Sequence, residues 1–357
     1  MIRRFRVRNY RSLRDVEIEP GALTVVTGAN GAGKSNLYRA LTLAAAAARG
    51  NLAPTMVEDG GMPSALWAGD WKKDEPRRLI VDVECDAWRY KVACGVPIPT
   101  GQAFQLDPEV KVEELAAIDG MRTLTLLERK GPSAWMRTKG GSKTTYPVVL
   151  EPQEAALAQL REPHLYPEIA GVQREMAGWR FYHHFRTDAG SPIRSAQIGT
   201  RTPVLSTDGH DLAAAFQTII EIGDRDGLTT AVDRAFPGAR LGIDFGRGQF
   251  DTHLFQQGFP RAFAARELSD GTLRYLCLVA ALLSPRPPPL LVLNEPDQSL
   301  HPDLTGPLTD LILYAAASTQ VWVITHSTPL ARLLAQAGAT AFDLRLENGA
   351  TAAEQVG

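Results

Sequence analysis

Gly28-Ala29-Asn30-Gly31-Ala32-Gly33-Lys34-Ser35, with Asn36 behind it, is the stretch that decides the reading of this 357-residue chain. It matches GxxxxGK[ST] and stands where that pattern has a mechanism, after a strand and at the opening of a helix. The apolar run 22–27 reads as a buried strand. Ser35 to about Arg49, with Leu37, Leu41 and a row of alanines, reads as a helix stopped by Gly50. Without side chains at Gly28, Gly31 and Gly33, backbone N–H groups can wrap phosphate oxygens, and the helix start favours their negative charge. Lys34 reaches the outer phosphates and the Ser35 hydroxyl suits Mg2+. The expected ligands of residues 28–36 are therefore a nucleoside triphosphate and Mg2+.

Further along, Leu290-Leu291-Val292-Leu293 reads as an apolar strand that delivers Asn294-Glu295-Pro296 at its end, the edge where such sheets bind ligands. Glu295 is the candidate general base for an attacking water. Asn294 stands where an aspartate usually supports the metal, so it is a weak metal-supporting residue that supplies an amide oxygen and no charge. Leu268-Ser269-Asp270-Gly271-Thr272 precedes an apolar helix and supplies its N-cap. Val321–Thr325 reads as another strand, followed by His326 and a helix. Strands alternating with helices in this way imply a mostly parallel sheet.

The remainder is less regular. Residues 2–19 alternate as two short strands around Asn9-Tyr10-Arg11-Ser12, with Phe5 and Val7 on one face and Arg4, Arg6 and Arg8 on the other. The arginine stripe reads as a nucleic-acid contact or as solvated charge on an edge strand. Strand-like runs occur at 79–84, 88–94 and 124–129, helix-like runs at 153–180 and 210–223, and a closing hairpin at 342–346 and 351–355 around Asn348-Gly349. The expected organisation is 1–50 and 261–357 as two parts of one head, with 51–260 as accessory β and helical lobes. No heptad pattern persists long enough for a coiled-coil arm.

Composition narrows the class. A formal net charge of -2 argues against a uniformly basic nucleic-acid binder. Cys85, Cys94 and Cys277 form no CxxC pair, so neither a disulfide framework nor a zinc site is expected. With no signal core and no long apolar run, the expectation is a cytoplasmic protein with no membrane partner.

These motifs together resemble the ATP-binding-cassette ATPases, and within them the RecF-like and SMC-like branch, including the stand-alone AAA-type ATPases related to RecF. Ile2 to Leu13 looks like that branch's N-terminal strand with its Asn-Phe/Tyr-Arg-Ser element. Gly28 to Leu37 looks like its GxNGxGKSN loop, and Leu293-Asn294-Glu295-Pro296-Asp297 like its Walker B and D-loop. Ser269-Asp270-Gly271 resembles the LSGGQ-like signature, and His326 the switch histidine. The resemblance covers 1–49 and 262–345. It implies a P-loop head of ABC/SMC type, with a mostly parallel sheet core, an antiparallel β lobe and a helical accessory lobe. It places Arg11 near the nucleotide, gives Lys34, Glu295 and His326 catalytic roles, and sets Ser269, Asp270 and Gly271 against the phosphates of a second copy. A homodimer on ATP binding, a DNA partner in repair or defence, or an effector protein driven without DNA contact follow as expectations. No Q-loop glutamine can be placed, and the acidic cluster of a Toprim nuclease is not found after His326.

Overall fold

A computed structural model describes residues 1–97, 103–160 and 162–356. In chain order the elements are β1 (Ile2–Tyr10), β2 (Leu13–Ile18), β3 (Leu23–Gly28), α1 (Lys34–Arg49), α2 (Leu52–Glu58), α3 (Gly61–Ala65), β4 (Arg78–Cys85), β5 (Trp88–Gly95), β6 (Glu109–Asp119), β7 (Arg122–Lys130), β8 (Ser133–Arg137), β9 (Lys143–Thr145), α4 (Ala156–Gln159), α5 (Pro167–Ala177) and β10 (Arg180–Tyr182). They continue as β11 (Gln197–Ile198), α6 (Leu212–Ile222), α7 (Arg225–Ala235), β12 (Arg240–Gly246), β13 (Gln249–Phe255), β14 (Phe263–Ala264), α8 (Asp270–Leu282), β15 (Leu290–Asn294), α9 (Thr305–Ala316), β16 (Gln320–Ile324), α10 (Thr328–Gln336), β17 (Thr340–Glu347) and β18 (Ala350–Val356). The chain forms two compact units. One comprises Met1–Gly21, Gly28–Trp179 and Phe342–Gly357, the other Ala22–Thr27 and Arg180–Ala341.

The first unit is built on an antiparallel sheet in the order β2-β1-β4-β5-β6-β7-β8-β9. Period-two alternation in β1 buries Phe5 and Val7 completely, while Arg4, Arg6 and Arg8 face the other side. β1 is flanked by β2 and β4, so the arginine stripe does not lie on an edge strand. Two of its three charges are matched there: Arg4 pairs with Glu84 at 2.7 Å and Arg6 with Asp15 at 2.6 Å. α1 buries Leu37, Leu41 and its alanines, small side chains that let the helix pack closely within the unit. The helical reading of 153–180 is corrected: α4 and α5 are separate, and the chain turns to strand at Arg180. Pro163 and Pro167 explain the break, since proline lacks an amide donor; Pro167 sits in the first turn of α5, where that donor is not needed. β17 and β18 carry the chain back into this unit.

The second unit holds parallel strands in the order β10-β15-β16-β3. β15 and β16 are buried at every position, as expected of parallel strands covered on both faces. Their register levels the carboxyl ends: Asn294 lies opposite Ile324, Ile324 opposite Val26, and Leu293 opposite Tyr182. Helices α6 to α10 share one hydrophobic core with these strands, including Val25, Phe216, Leu276, Leu293, Val323 and Leu334. A small antiparallel sheet, β11-β13-β12 with β14 beside β13, belongs to the same unit. Among the described residues no helix is long and apolar enough to cross a membrane.

Candidate functional site

In the first unit, the glycine loop leaves β3 at Gly28 and enters α1 at Lys34. Gly28, Gly31 and Gly33 have φ of 149°, 80° and 107°, conformations that L side chains rarely adopt. At Gly33 the space is also closed, because a Cβ there would meet Thr351 Oγ1 at 2.2 Å. Lys34 is buried, and its ammonium donates to the Gly28 and Ala29 carbonyls at 2.6 and 3.1 Å, so the side chain folds back over the loop. Ser35 is exposed.

The first turn of α1 has no side-chain cap and no acidic residue. Among the described α-helices, only α7, α8 and α10 have an N-cap side chain that accepts from the helix's own N–H groups, at Asp224, Ser269 and Ser327. The opening N–H groups of a helix have no partner within it, and the helix dipole makes that end attractive to anions. An uncapped start, a loop with three glycines at positive φ and a lysine folded across it fit a phosphate chain. The Ser35 hydroxyl is an oxygen donor of the kind Mg2+ takes.

Thr351 and Ser12, to which motif reading gave no role, hold this loop together with Asn36. Thr351 Oγ1 donates to the Ala32 carbonyl at 2.9 Å and shares a 2.8 Å hydrogen bond with Ser12 Oγ, which in turn accepts from the Asn36 amide at 2.8 Å. Loop, N-terminal turn and C-terminal hairpin are thereby tied by hydroxyls. Gly33→Ala is expected to cost on the order of 1–3 kcal/mol through backbone strain and the clash with Thr351, read as a lowered melting temperature together with lost nucleotide affinity.

Arg11 sits at a positive φ of 49° in the turn after β1. Its guanidinium pairs with Asp59 at 3.1 Å, and the same carboxylate takes Arg39 at 2.7 Å and the Tyr10 hydroxyl at 2.6 Å. Burial, reinforced by Asp59, raises the Tyr10 phenol above its ordinary range, so it stays a neutral donor. Arg11 Nε is buried with no hydrogen-bond partner.

In the second unit, β15 ends at Asn294 and the chain turns sharply. Glu295 has φ 51°, and its N–H donates to the Ile324 carbonyl at 2.7 Å, which fixes the carboxylate at the sheet edge. Its Oε1 lies 3.4 Å from His326 Nδ1, so the candidate base and the candidate switch histidine meet. Asp297 accepts from the Thr325 hydroxyl at 2.7 Å, and that hydroxyl also accepts from the Ser327 N–H at 2.9 Å, locking the two strand-end loops together. Asn294, buried, shares a 2.8 Å hydrogen bond with the ring of His183, the residue that follows β10. Arg274 donates to the His183 carbonyl at 3.1 Å, and burial lowers its pKa. Nothing local marks His183: its role appears only once β10 is seen beside β15.

Ser269 caps α8, accepting from the Thr272 N–H at 3.1 Å, and is exposed. A Cβ on Gly271 would stand 2.9 Å from the Ser299 carbonyl, so only glycine lets the loop after β15 approach the helix start this closely. Ser269, Gly271, Thr272 and Ser299 line one groove. Asp270 is paired instead with Arg194.

Comparison with known proteins agrees with this architecture. Over the whole chain the fold is similar to a crystallised SmcHead bound to the C-winged helix domain of ScpA, with a TM-score of 0.56, 16% identity, and coverage of 99% of this chain and 98% of that one. It is likewise similar to an Smc head domain with an extended coiled coil bound to the C-terminal domain of ScpA, derived from Pyrococcus furiosus, at a TM-score of 0.53, 15% identity, and coverage of 99% and 96%. A curated relative, the OLD nuclease of Thermus scotoductus (strain ATCC 700910 / SA-01), is 44% identical over 43 residues, which is 12% of this chain and only 8% of that protein. Residues 4–76 match a family described as AAA domain. Residues 153–332, just over half of the chain, match a second one. On that match, and with the SMC-head form of the P-loop fold around it, the chain belongs to the family described as AAA domain, putative AbiEii toxin, Type IV TA system.

Proposed function

We propose that this chain is an ATPase that binds ATP with Mg2+ on residues 28–36 and hydrolyses it, with ATP drawing two copies together. The observation that carries the reading is the start of α1: no side-chain cap, three glycines at positive φ and Lys34 folded over the loop. In this reading the backbone amides and Lys34 hold the phosphates, and Arg11 lies near them. Glu295 takes the proton of the attacking water, and His326 steadies that carboxylate and the terminal phosphate. Mg2+ would be held by Ser35 and, more weakly, by Asn294, and would neutralise charge on the phosphates. With an amide in place of a carboxylate at 294, turnover is slow. Ser269 and Gly271 face the terminal phosphate held by the other copy, and hydrolysis releases the pair.

A DNA-associated role, in repair or in defence against foreign DNA, is supported by the likeness to Smc heads and to an OLD nuclease. A second reading is favoured by the first unit's own chemistry. Arg4 and Arg6 are committed to Glu84 and Asp15, which leaves little of that stripe for phosphates, and both Smc heads carry a protein partner. ATP would then drive an effector protein without DNA contact.

Turnover measured with and without single-stranded, double-stranded and gapped DNA across a salt series separates the two. DNA stimulation that fades with salt supports the first. Turnover indifferent to every DNA supports the second. A folded protein with no turnover under any condition contradicts both.

A further inference from the structure

The signature carries a carboxylate, Asp270, in the first turn of α8, directly beside the exposed Ser269. Resting on the proposal that Ser269 faces the terminal phosphate of a second copy, this is an electrostatic problem, because a carboxylate at that point repels a polyanion. Arg194 addresses it. The residue ends a short 3-10 turn, Pro192–Arg194, opened by a Ser191 cap. Its Nε donates to the Thr187 carbonyl at 2.8 Å, its Nη1 to the Leu268 carbonyl at 2.8 Å and the Arg266 carbonyl at 3.3 Å, and its Nη2 to Asp270 Oδ1 at 2.5 Å. The Arg194 side chain is only 14% exposed, whereas that of Asp270 is 66% exposed.

The fork is therefore fixed by backbone carbonyls before it meets the carboxylate. Ser269, Gly271 and Thr272 line one groove, while Asp270 lines another with Arg194 and Arg266. We infer that Arg194 is a positioning residue of the signature: it neutralises Asp270, draws that carboxylate out of the groove of Ser269, and so leaves the start of α8 able to accept the phosphate of the partner copy. Lysine cannot replace it, since a single ammonium does not present a planar fork to several carbonyls and a carboxylate at once.

The test uses the full chain in the Glu295→Gln background, so that the ATP-bound dimer accumulates. Mass is measured by light scattering against ATP with Mg2+, alongside the ATP affinity of the monomer. Arg194→Ala should raise the protein concentration needed for dimerisation roughly tenfold or more, with monomer affinity for ATP unchanged. Adding Asp270→Asn should restore dimerisation, because the repelling charge is gone, and high salt should narrow the gap between Arg194→Ala and its parent. Asp270→Asn alone, with Arg194 in place, should dimerise at least as well as the parent. Failure of Asp270→Asn to rescue, or a weaker dimer from Asp270→Asn alone, would overturn the role of Arg194 and leave the ATPase reading standing. Absence of any dimer in the Glu295→Gln parent would remove the ATP-bridged pair itself, and this inference with it.

Discussion

Glu295→Gln should lower ATP turnover by roughly 10²–10⁴-fold, the usual worth of a positioned general base, while ATP binding stays at the parental level. The argument is geometric. The backbone of Glu295 is pinned by its hydrogen bond to Ile324, and glutamine keeps the size of the side chain. What is lost is the basic oxygen, together with the charge that meets His326 at 3.4 Å. The loop proposed to hold the phosphates is made of other residues, so affinity should not fall. Single-turnover and equilibrium binding measurements on the same preparation separate the two quantities, and parental turnover by Glu295→Gln would show that another group takes the proton.

Glu113→Ala should destabilise the protein by about 3–5 kcal/mol, the cost of leaving a buried charge without its partner. Glu113 has no exposed surface, yet it accepts from the Ala156 and Leu157 N–H groups at 2.6 and 2.9 Å and from the Tyr90 hydroxyl at 2.9 Å. It is thus the cap that α4 lacks locally. Arg129, equally buried, lies 4.0 Å away and is otherwise satisfied by the Gly131, Glu151 and Glu154 carbonyls. Removing the carboxylate strands three donors and leaves the Arg129 charge without its counter-ion. Glu113→Gln keeps much of the hydrogen bonding and should cost less. Urea midpoints of the two variants check this, and an unchanged midpoint for Glu113→Ala would refute it.

Glu113 also shows where sequence patterning stops. In Glu109-Val110-Lys111-Val112-Glu113, alternation points the charged residues outward, but Glu113 is inside and β6 goes unread. β15 and β16 were legible because a continuous apolar run is a local signal, and the glycine loop because its mechanism is contained in eight residues. The groups that support the candidate site are different in kind. Thr351 reaches Ala32 across 319 positions, His183 reaches Asn294 across 111, and Arg194 reaches Asp270 across 76. No periodicity encodes such pairs, which exist only after the sheet has set its strand order. The arginine stripe of β1 makes the same point in reverse: the alternation was visible, while the acids that neutralise Arg4 and Arg6 come from neighbouring strands.

The central claim is that residues 28–36 hold a nucleoside triphosphate, and calorimetric titration of the folded chain with ATP in the presence of Mg2+ tests it most directly. One ATP should bind per chain, and Lys34→Ala, with its fold confirmed by circular dichroism, should not bind it measurably. A folded parent that takes up no ATP, or a Lys34→Ala variant that binds as tightly as the parent, would contradict the account.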